Sequence, residues 1–167
     1  AVDGQHRVQL TRVHLACCCQ DFLLCLAELL DGMLETERFA PVADLDWGLS
    51  EVIGDRAFAA SAESVAQLAG SWMLGAREAG MVSVGKHFPG HGSVVADSHL
   101  ALPVDERELD QILERDVRPF VRLIDNGLEA IMPAHVVYPA CDTQPAGFSR
   151  FWLQDVLRQR LRFQGVI

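Results

Sequence analysis

Met81-Val82-Ser83-Val84-Gly85-Lys86-His87-Phe88-Pro89-Gly90-His91-Gly92 joins an apolar run to a cluster of titratable side chains on a glycine-punctuated loop. The run at 81–85 predicts a short buried strand that hands over to the loop at Lys86. Gly90 and Gly92 let the backbone turn tightly there, and Pro89 fixes one dihedral on the way. With Asp97-Ser98-His99 downstream, three histidines, a lysine and an acid fall within fourteen residues. Such a cluster at a strand end is a common way to build an active site, against the plainer alternative of a His-rich surface loop.

Working outward, elements alternate. Residues 39–45 form an apolar run that ends in acids and predict a strand. Ser61 is placed to cap a helix with Val65, Leu68, Ala69, Trp72, Met73 and Ala76 on one face, stopped at Gly80. Beyond the loop, Leu109, Ile112, Leu113, Val117, Phe120, Val121 and Ile124 keep a helical spacing that Pro119 should break or restart. Residues 128–132 predict the next strand. Ser149 caps a helix carrying Leu153, Val156, Leu157 and Leu161, and residues 165–167 open one more strand.

Strand, helix, strand, helix at this spacing predicts parallel βα units. Polar signals follow each strand: Asp44 and Asp46, then Lys86 and His87, then His135. That is where a (β/α)8 barrel keeps its site. An open doubly wound sheet shares the strand-end rule, but no glycine-rich phosphate turn occurs. A whole barrel needs about 250 residues, so 167 residues with four or five strands predict an incomplete central portion of one.

Composition narrows the function. The formal net charge is −9 with acids and bases interspersed, which excludes the basic stripe of a nucleic-acid groove. Half the residues are hydrophobic, yet no apolar run is long enough to span a membrane. Nor is a basic segment followed by an apolar core visible as a secretory signal. Four of the five cysteines, Cys17, Cys18, Cys19 and Cys25, crowd an apolar helical stretch without zinc-like pairing. Reduced thiols in a cytoplasmic protein are expected.

The segment K-H-F-P-G-H-G with D-S-H downstream resembles the signature of glycoside hydrolase family 3, in its bacterial β-N-acetylglucosaminidase branch. Further matches follow in order: F-A-P-V-A-D-L-D from Phe39, G-D-R-A-F from Gly54, D-S-H-L-A-L-P-V-D-E-R from Asp97 and M-P-A-H-V-V-Y-P from Met132. The likeness is nearly continuous over 39–167, while 1–38 diverges. It implies one partial family-type barrel domain over 1–167, consistent with the barrel read from the element order.

The resemblance also implies roles. Glycoside hydrolysis needs a proton for the departing oxygen and a negative group opposite the anomeric carbon. The branch gives the acid/base role to a histidine held by an aspartate, which here maps to His99 and Asp97. An adjacent carboxylate suits an imidazole that titrates near pH ~6.5. Lys86, His87 and Arg56 match sugar-binding positions, and Asp3 matches an aspartate that grips a distal hydroxyl. The strand opened at 165–167 leads, in the family, to the aspartate nucleophile, expected beyond Ile167. Around Asp3 the family reads D-x-E-G-G-R-V-x-R, whereas this chain has Asp3-Gly4-Gln5-His6-Arg7-Val8-Gln9-Leu10, without the acid or the glycine pair.

The expected function is therefore a retaining exo-β-N-acetylglucosaminidase acting on peptidoglycan fragments in a bacterial cytoplasm. Its partners would be small saccharides (N-acetylglucosamine-anhydromuramyl peptides), with no cofactor, metal, nucleic acid or membrane, and the protein would be a monomer. The alternative is a catalytically inactive fragment or sugar-binding remnant of the same family. A metal-dependent barrel using His87, His91, His99 and His135 lacks the usual H-x-H pair. Among neighbours, His91 is expected to support the loop's shape. His135 is left open between core and supporting roles. Asp44 and Asp46 are expected to be structural, and Trp47 a packed loop residue rather than a sugar platform.

Overall fold

The computed structural model describes residues 39–95 and 102–167. Asp3, Asp97 and His99, together with the four crowded cysteines, lie outside them. The element order is a 3-10 turn at Gly54–Arg56, α1 (Ala62–Glu78), β1 (Val84–Phe88), α2 (Leu109–Glu114), α3 (Val117–Asp125), β2 (Ala130–Pro133), β3 (Val137–Tyr138), β4 (Asp142–Pro145) and a wide helix at Phe151–Arg160.

The wall that carries the site is built from parallel segments in chain order. β1 pairs parallel with β2, Val84 opposite Ala130 and Lys86 opposite Met132. On the other side of β1, residues 40–43 run parallel too. Val84 N–H donates to Ala40 O at 2.7 Å, Lys86 N–H to Pro41 O at 3.1 Å, and Ala43 N–H to Lys86 O at 2.6 Å. Val166 makes a parallel bridge to Ala130 beyond β2. Sequential parallel neighbours joined by helices are the wall of a (β/α)8-type barrel, as the element order predicts.

Local chemistry explains the helices. Ser61 Oγ accepts from Ser64 N at 3.1 Å and caps α1. Its buried face is Val65, Ala69, Trp72, Met73 and Ala76; large aliphatic members of such a face contribute about 1.5–3 kcal/mol each. α1 ends with Gly80 at φ +77° and α3 is followed by Gly127 at φ +83°. In each case the next residue reaches back: Met81 N–H to Ala76 O at 2.8 Å, and Leu128 N–H to Leu123 O at 3.0 Å. This 6→1 closure feeds both helices directly into their strands.

Three sequence expectations are corrected, and one element is added. β1 lies three residues later than the apolar run: Val82 is 67% exposed, and the parallel bonds begin at Ser83 and Val84. The strand therefore runs through Lys86 and His87 to Phe88. The long helical pattern breaks at Arg115–Asp116 rather than at Pro119, which sits third in α3, where no N–H is needed. Residues 137–145, on which the sequence reading placed no element, form the antiparallel hairpin β3–β4. The last helix keeps Ser149 at its start, with Oγ accepting from Trp152 N at 3.1 Å. It is wound as a π-helix, so Trp152, Val156 and Leu157 share the buried side while Leu153 and Leu161 are only partly covered. Trp152 claims that side because it packs edge-on against Phe88 and Tyr138, with centroids 6.1 and 5.2 Å away.

Candidate active site

The site is built at the C-terminal end of β1. Opposite Lys86 stands Met132 and opposite Phe88 stands Pro133, so His87 is the extra residue of a bulge. A bulge re-aims a side chain out of the strand's alternation. Lys86 is only 7% exposed, which sets aside a solvent-facing loop lysine. The Lys86–His87 peptide is cis.

Asp44 organises the residues that follow. Its side chain is fully buried, at the end of the 40–43 segment. Oδ2 accepts from His87 N at 3.2 Å and meets His87 Nδ1 at 2.7 Å, while Oδ1 accepts from His91 N at 2.7 Å. One carboxylate thus fixes the orientation of His87 and the course of the loop behind it. With Nδ1 donating to Asp44, the other ring nitrogen of His87 is left as the acceptor. The expectation that Asp44 is structural holds in that it shapes the loop. It also orients a predicted sugar contact, which the sequence did not signal. Asp46 caps a local turn, accepting from Gly48 N at 2.8 Å.

Arg56 stands in the 3-10 turn, its Nε and Nη2 donating to Val52 O at 3.0 and 2.8 Å. His91 is 2% exposed, and its ring stands edge-on to His87 at 5.8 Å between centroids. Burial holds its imidazole below the ordinary range against the pull of Asp44, and the charges of His87 and Arg56 act in the same direction as burial. His91 is therefore a neutral loop support, as expected. Among the described residues neither of its ring nitrogens has a hydrogen-bond partner. Gly92 passes so close to the 44–47 turn that an added Cβ would lie 1.9 Å from Leu45 O.

A second cluster, unread in the sequence, adjoins the first. Arg107 Nε donates to Asp105 Oδ1 at 2.9 Å, Nη2 to Asp105 Oδ2 at 2.7 Å and to Ser93 Oγ at 2.9 Å, and Nη1 to Asp116 Oδ2 at 2.8 Å. Ser93 Oγ donates to Asp105 Oδ2 at 2.7 Å. Trp47 Nε1 donates to Asp116 Oδ1 at 3.0 Å, with Arg107 and Arg115 guanidinium carbons 4.6 and 3.8 Å from its ring centroid. Trp47 is accordingly a packed loop residue. Burial works against charge on Asp105, but the Arg107 and Ser93 bonds outweigh it and hold the carboxyl below the usual range. At the more deeply buried Asp116, burial prevails and pushes the carboxyl up despite Arg107. Asp116 stands at the N-cap position of α3 without capping it. Residues 2 to 69 positions apart meet here; Asp105 and Arg107 close the 97–107 match, but nothing in the sequence joins them to Ser93, Asp116 and Trp47.

A cavity of about 700 Å3 opens beside this cluster, lined by Ser93, Val95, Val104, Asp105, Arg107 and Gln111 among others. Its walls are the two flanks of 96–101; Lys86, His87 and Arg56 do not line it. His135 lies past β2 beside Phe148, with ring centroids 6.2 Å apart, and is exposed rather than in the core. Among the described residues no three His, Cys, Asp or Glu side chains are grouped to hold a metal ion. None of the helices there is long and apolar enough to cross a membrane.

The sequence profile of the glycosyl hydrolase family 3 N-terminal domain matches residues 27–167. A β-hexosaminidase of Methylobacillus flagellatus is 61% identical over 129 residues, covering 77% of this chain and 37% of that protein. One from Hydrogenovibrio crunogenus is 57% identical over 150 residues, covering 85% and 42%. Among solved structures, NagZ from Neisseria gonorrhoeae in complex with N-trifluoroacetyl-D-glucosamine superposes with a TM-score of 0.75 at 52% identity, covering 77% of this chain and 38% of that one. The chain thus spans about two fifths of the length of the relatives it matches.

Proposed function

Because the chain belongs to glycosyl hydrolase family 3, through its N-terminal domain, we propose that it forms the sugar-binding and acid/base part of a retaining exo-β-N-acetylglucosaminidase. It would be an incomplete, central portion of the family's barrel. The substrates are terminal N-acetyl-β-glucosaminyl residues of peptidoglycan fragments, taken as N-acetylglucosamine-anhydromuramyl peptides by a monomer in a bacterial cytoplasm. The observation that carries this reading is the Asp44 carboxylate holding His87 and His91 at 2.7 Å each beside the buried Lys86. A cation and an oriented imidazole at a barrel strand end suit the hydroxyls of a neutral sugar. The β-hexosaminidase relatives support the substrate class.

In this reading Lys86, His87 and Arg56 bind the terminal sugar, joined by Asp3. A carboxylate nucleophile, expected in residues following Ile167, attacks the anomeric carbon. His99 gives its proton to the departing oxygen, and Asp97 stabilises the imidazolium from which the proton leaves. Water then attacks the glycosyl–enzyme bond, losing its proton to His99 and releasing the nucleophile. The histidine thus serves as acid in the first step and base in the second. No metal or organic cofactor enters either step.

The test is hydrolysis of an aryl N-acetyl-β-glucosaminide by the 167-residue chain and by a polypeptide extended through the next strand and loop. Activity of the extended form alone supports the assignment. Activity of the short form would put the nucleophile within this sequence and overturn the site map. Silence from a folded extended form would favour the sugar-binding remnant.

A further inference from the structure

We propose that Tyr138 is the positioning residue for His87: its buried hydroxyl fixes the Gly90–His91 peptide, and through that peptide the Asp44 carboxylate that orients the His87 ring. The proposal rests on the sugar-binding reading of His87 given above. The Tyr138 hydroxyl donates to Gly90 O, at one end of a peptide unit whose other end, His91 N–H, donates to Asp44 Oδ1 at 2.7 Å. Asp44 Oδ2 in turn meets His87 Nδ1 at 2.7 Å and accepts from His87 N at 3.2 Å. Phenol, peptide, carboxylate and imidazole thus form one hydrogen-bonded chain that runs from β3 to β1.

The peptide unit in the middle of this chain needs holding. Gly90 has φ +151°, and a glycine on one side lets the Gly90–His91 unit swing with little steric resistance. The unit itself is planar, so fixing its carbonyl also fixes where its N–H points. Tyr138 can hold it because Tyr138 is itself held. It is fully buried, and its ring packs edge-on to Trp152 at 5.2 Å between centroids. β3 is tied on one side to residues 103–105, through Val137 N–H to Pro103 O at 3.0 Å and Asp105 N–H to Val137 O at 2.9 Å. On its other side it pairs with β4. Burial, with Asp105, Asp44 and Asp116 nearby, pushes the phenol's ionisation well above its ordinary range, so the hydroxyl keeps the proton it donates. Donation to the peptide oxygen also polarises the N–H at the far end and strengthens its bond to the carboxylate. Without the hydroxyl, the N–H is free to turn from Oδ1, and Asp44 loses one of the bonds that set the plane of its carboxylate.

The experiment is a double-mutant cycle in the full-length polypeptide containing this chain, with Tyr138→Phe, His87→Ala and the pair together. The affinity of each for N-acetylglucosamine is measured by calorimetry. Residues joined through one hydrogen-bond network are coupled, so Tyr138→Phe is expected to weaken binding about tenfold when His87 is present and by less than about twofold when it is alanine. Melting should fall in both backgrounds, since the buried Gly90 carbonyl loses its donor either way; a merely structural role would show that fall without the coupling. Equal losses of affinity in the two backgrounds would overturn the positioning role and leave His87 as a sugar contact. Wild-type affinity in a folded Tyr138→Phe variant would do the same. Unchanged affinity in His87→Ala sinks both readings. If Tyr138→Phe fails to fold by circular dichroism, 4-aminophenylalanine in place of Tyr138 runs the same cycle. Its amine donates more weakly from the same ring position, so a loss of about threefold is expected with His87 present and none in His87→Ala. Equal affinities in that cycle would overturn the proposal.

Discussion

The carboxylate of Asp44 and the imidazole of His87 meet at 2.7 Å across 43 positions of sequence, and the same carboxylate holds the backbone of His91. Loop course and ring orientation are thereby set by one buried group. Asp44→Asn keeps the shape but turns an amide N–H₂ toward donors. Each buried donor left unsatisfied costs about 1–3 kcal/mol. Denaturant midpoints should fall accordingly, and N-acetylglucosamine binding should weaken about tenfold by calorimetry. Unchanged affinity in a folded variant would separate Asp44 from the sugar site.

Gly92→Ala is expected to be poorly tolerated. The added carbon would sit 1.9 Å from Leu45 O, a backbone atom that cannot swing aside. The 86–92 loop or the 44–47 turn must shift, so thermal stability and sugar binding should fall together. A variant with wild-type melting would show that the close approach relaxes freely.

His91 predicts a pH dependence. Buried and neutral, it takes up its proton more readily once unfolded, so its contribution is fully present above its ordinary 6.5 and is lost as pH falls from there through its lowered folded value. Asp105, held below its ordinary 3.8, adds a second loss at lower pH. Thermal midpoints should therefore decline from pH 7 toward pH 5. In His91→Leu that decline should flatten at little cost in stability, because two unpartnered buried nitrogens are removed with it. A steep loss at pH 7 in His91→Leu would argue for a polar role of the ring.

Cys141 should alkylate slowly. Burial, with Glu108, Asp105 and Asp142 nearby, pushes its thiol up to about 11 from 9.0. At neutral pH the thiolate is then about a hundredfold scarcer than for an ordinary cysteine. Peptide mapping after timed iodoacetamide treatment checks this, and labelling as fast as a free thiol would contradict it.

The sequence showed most clearly what is locally determined. Ser61 and Gly80 bracket α1 because capping and left-handed closure act within a few residues. The parallel βα order and the strand-end position of Lys86 and His87 followed from apolar runs and polar punctuation. The start of β1 was misread because Val82, apolar but exposed, resembles a core residue until its partners are known. The buried side of the last helix carries Trp152 packed against Phe88, a tertiary contact that no local period records. The Arg107 cluster escaped for the same reason: Asp105 and Arg107 stood within the 97–107 match without a role until Ser93, Asp116 and Trp47 closed around them.

The hydrogen bond from Trp47 to Asp116 spans 69 positions, and this long reach bears on how the molecule is assembled. Chain entropy must be overcome before so distant a pair can repay it, so contacts of this kind form late. α1 and its closing glycine can nucleate on their own residues. The wall that carries Lys86 and His87 cannot, because Trp47 is anchored to Asp116 only after α3 has docked. A short peptide spanning 81–92 should thus have no affinity for the sugar, although it carries Lys86, His87 and His91. On the function proposed above, sugar recognition is a product of the last stage of folding.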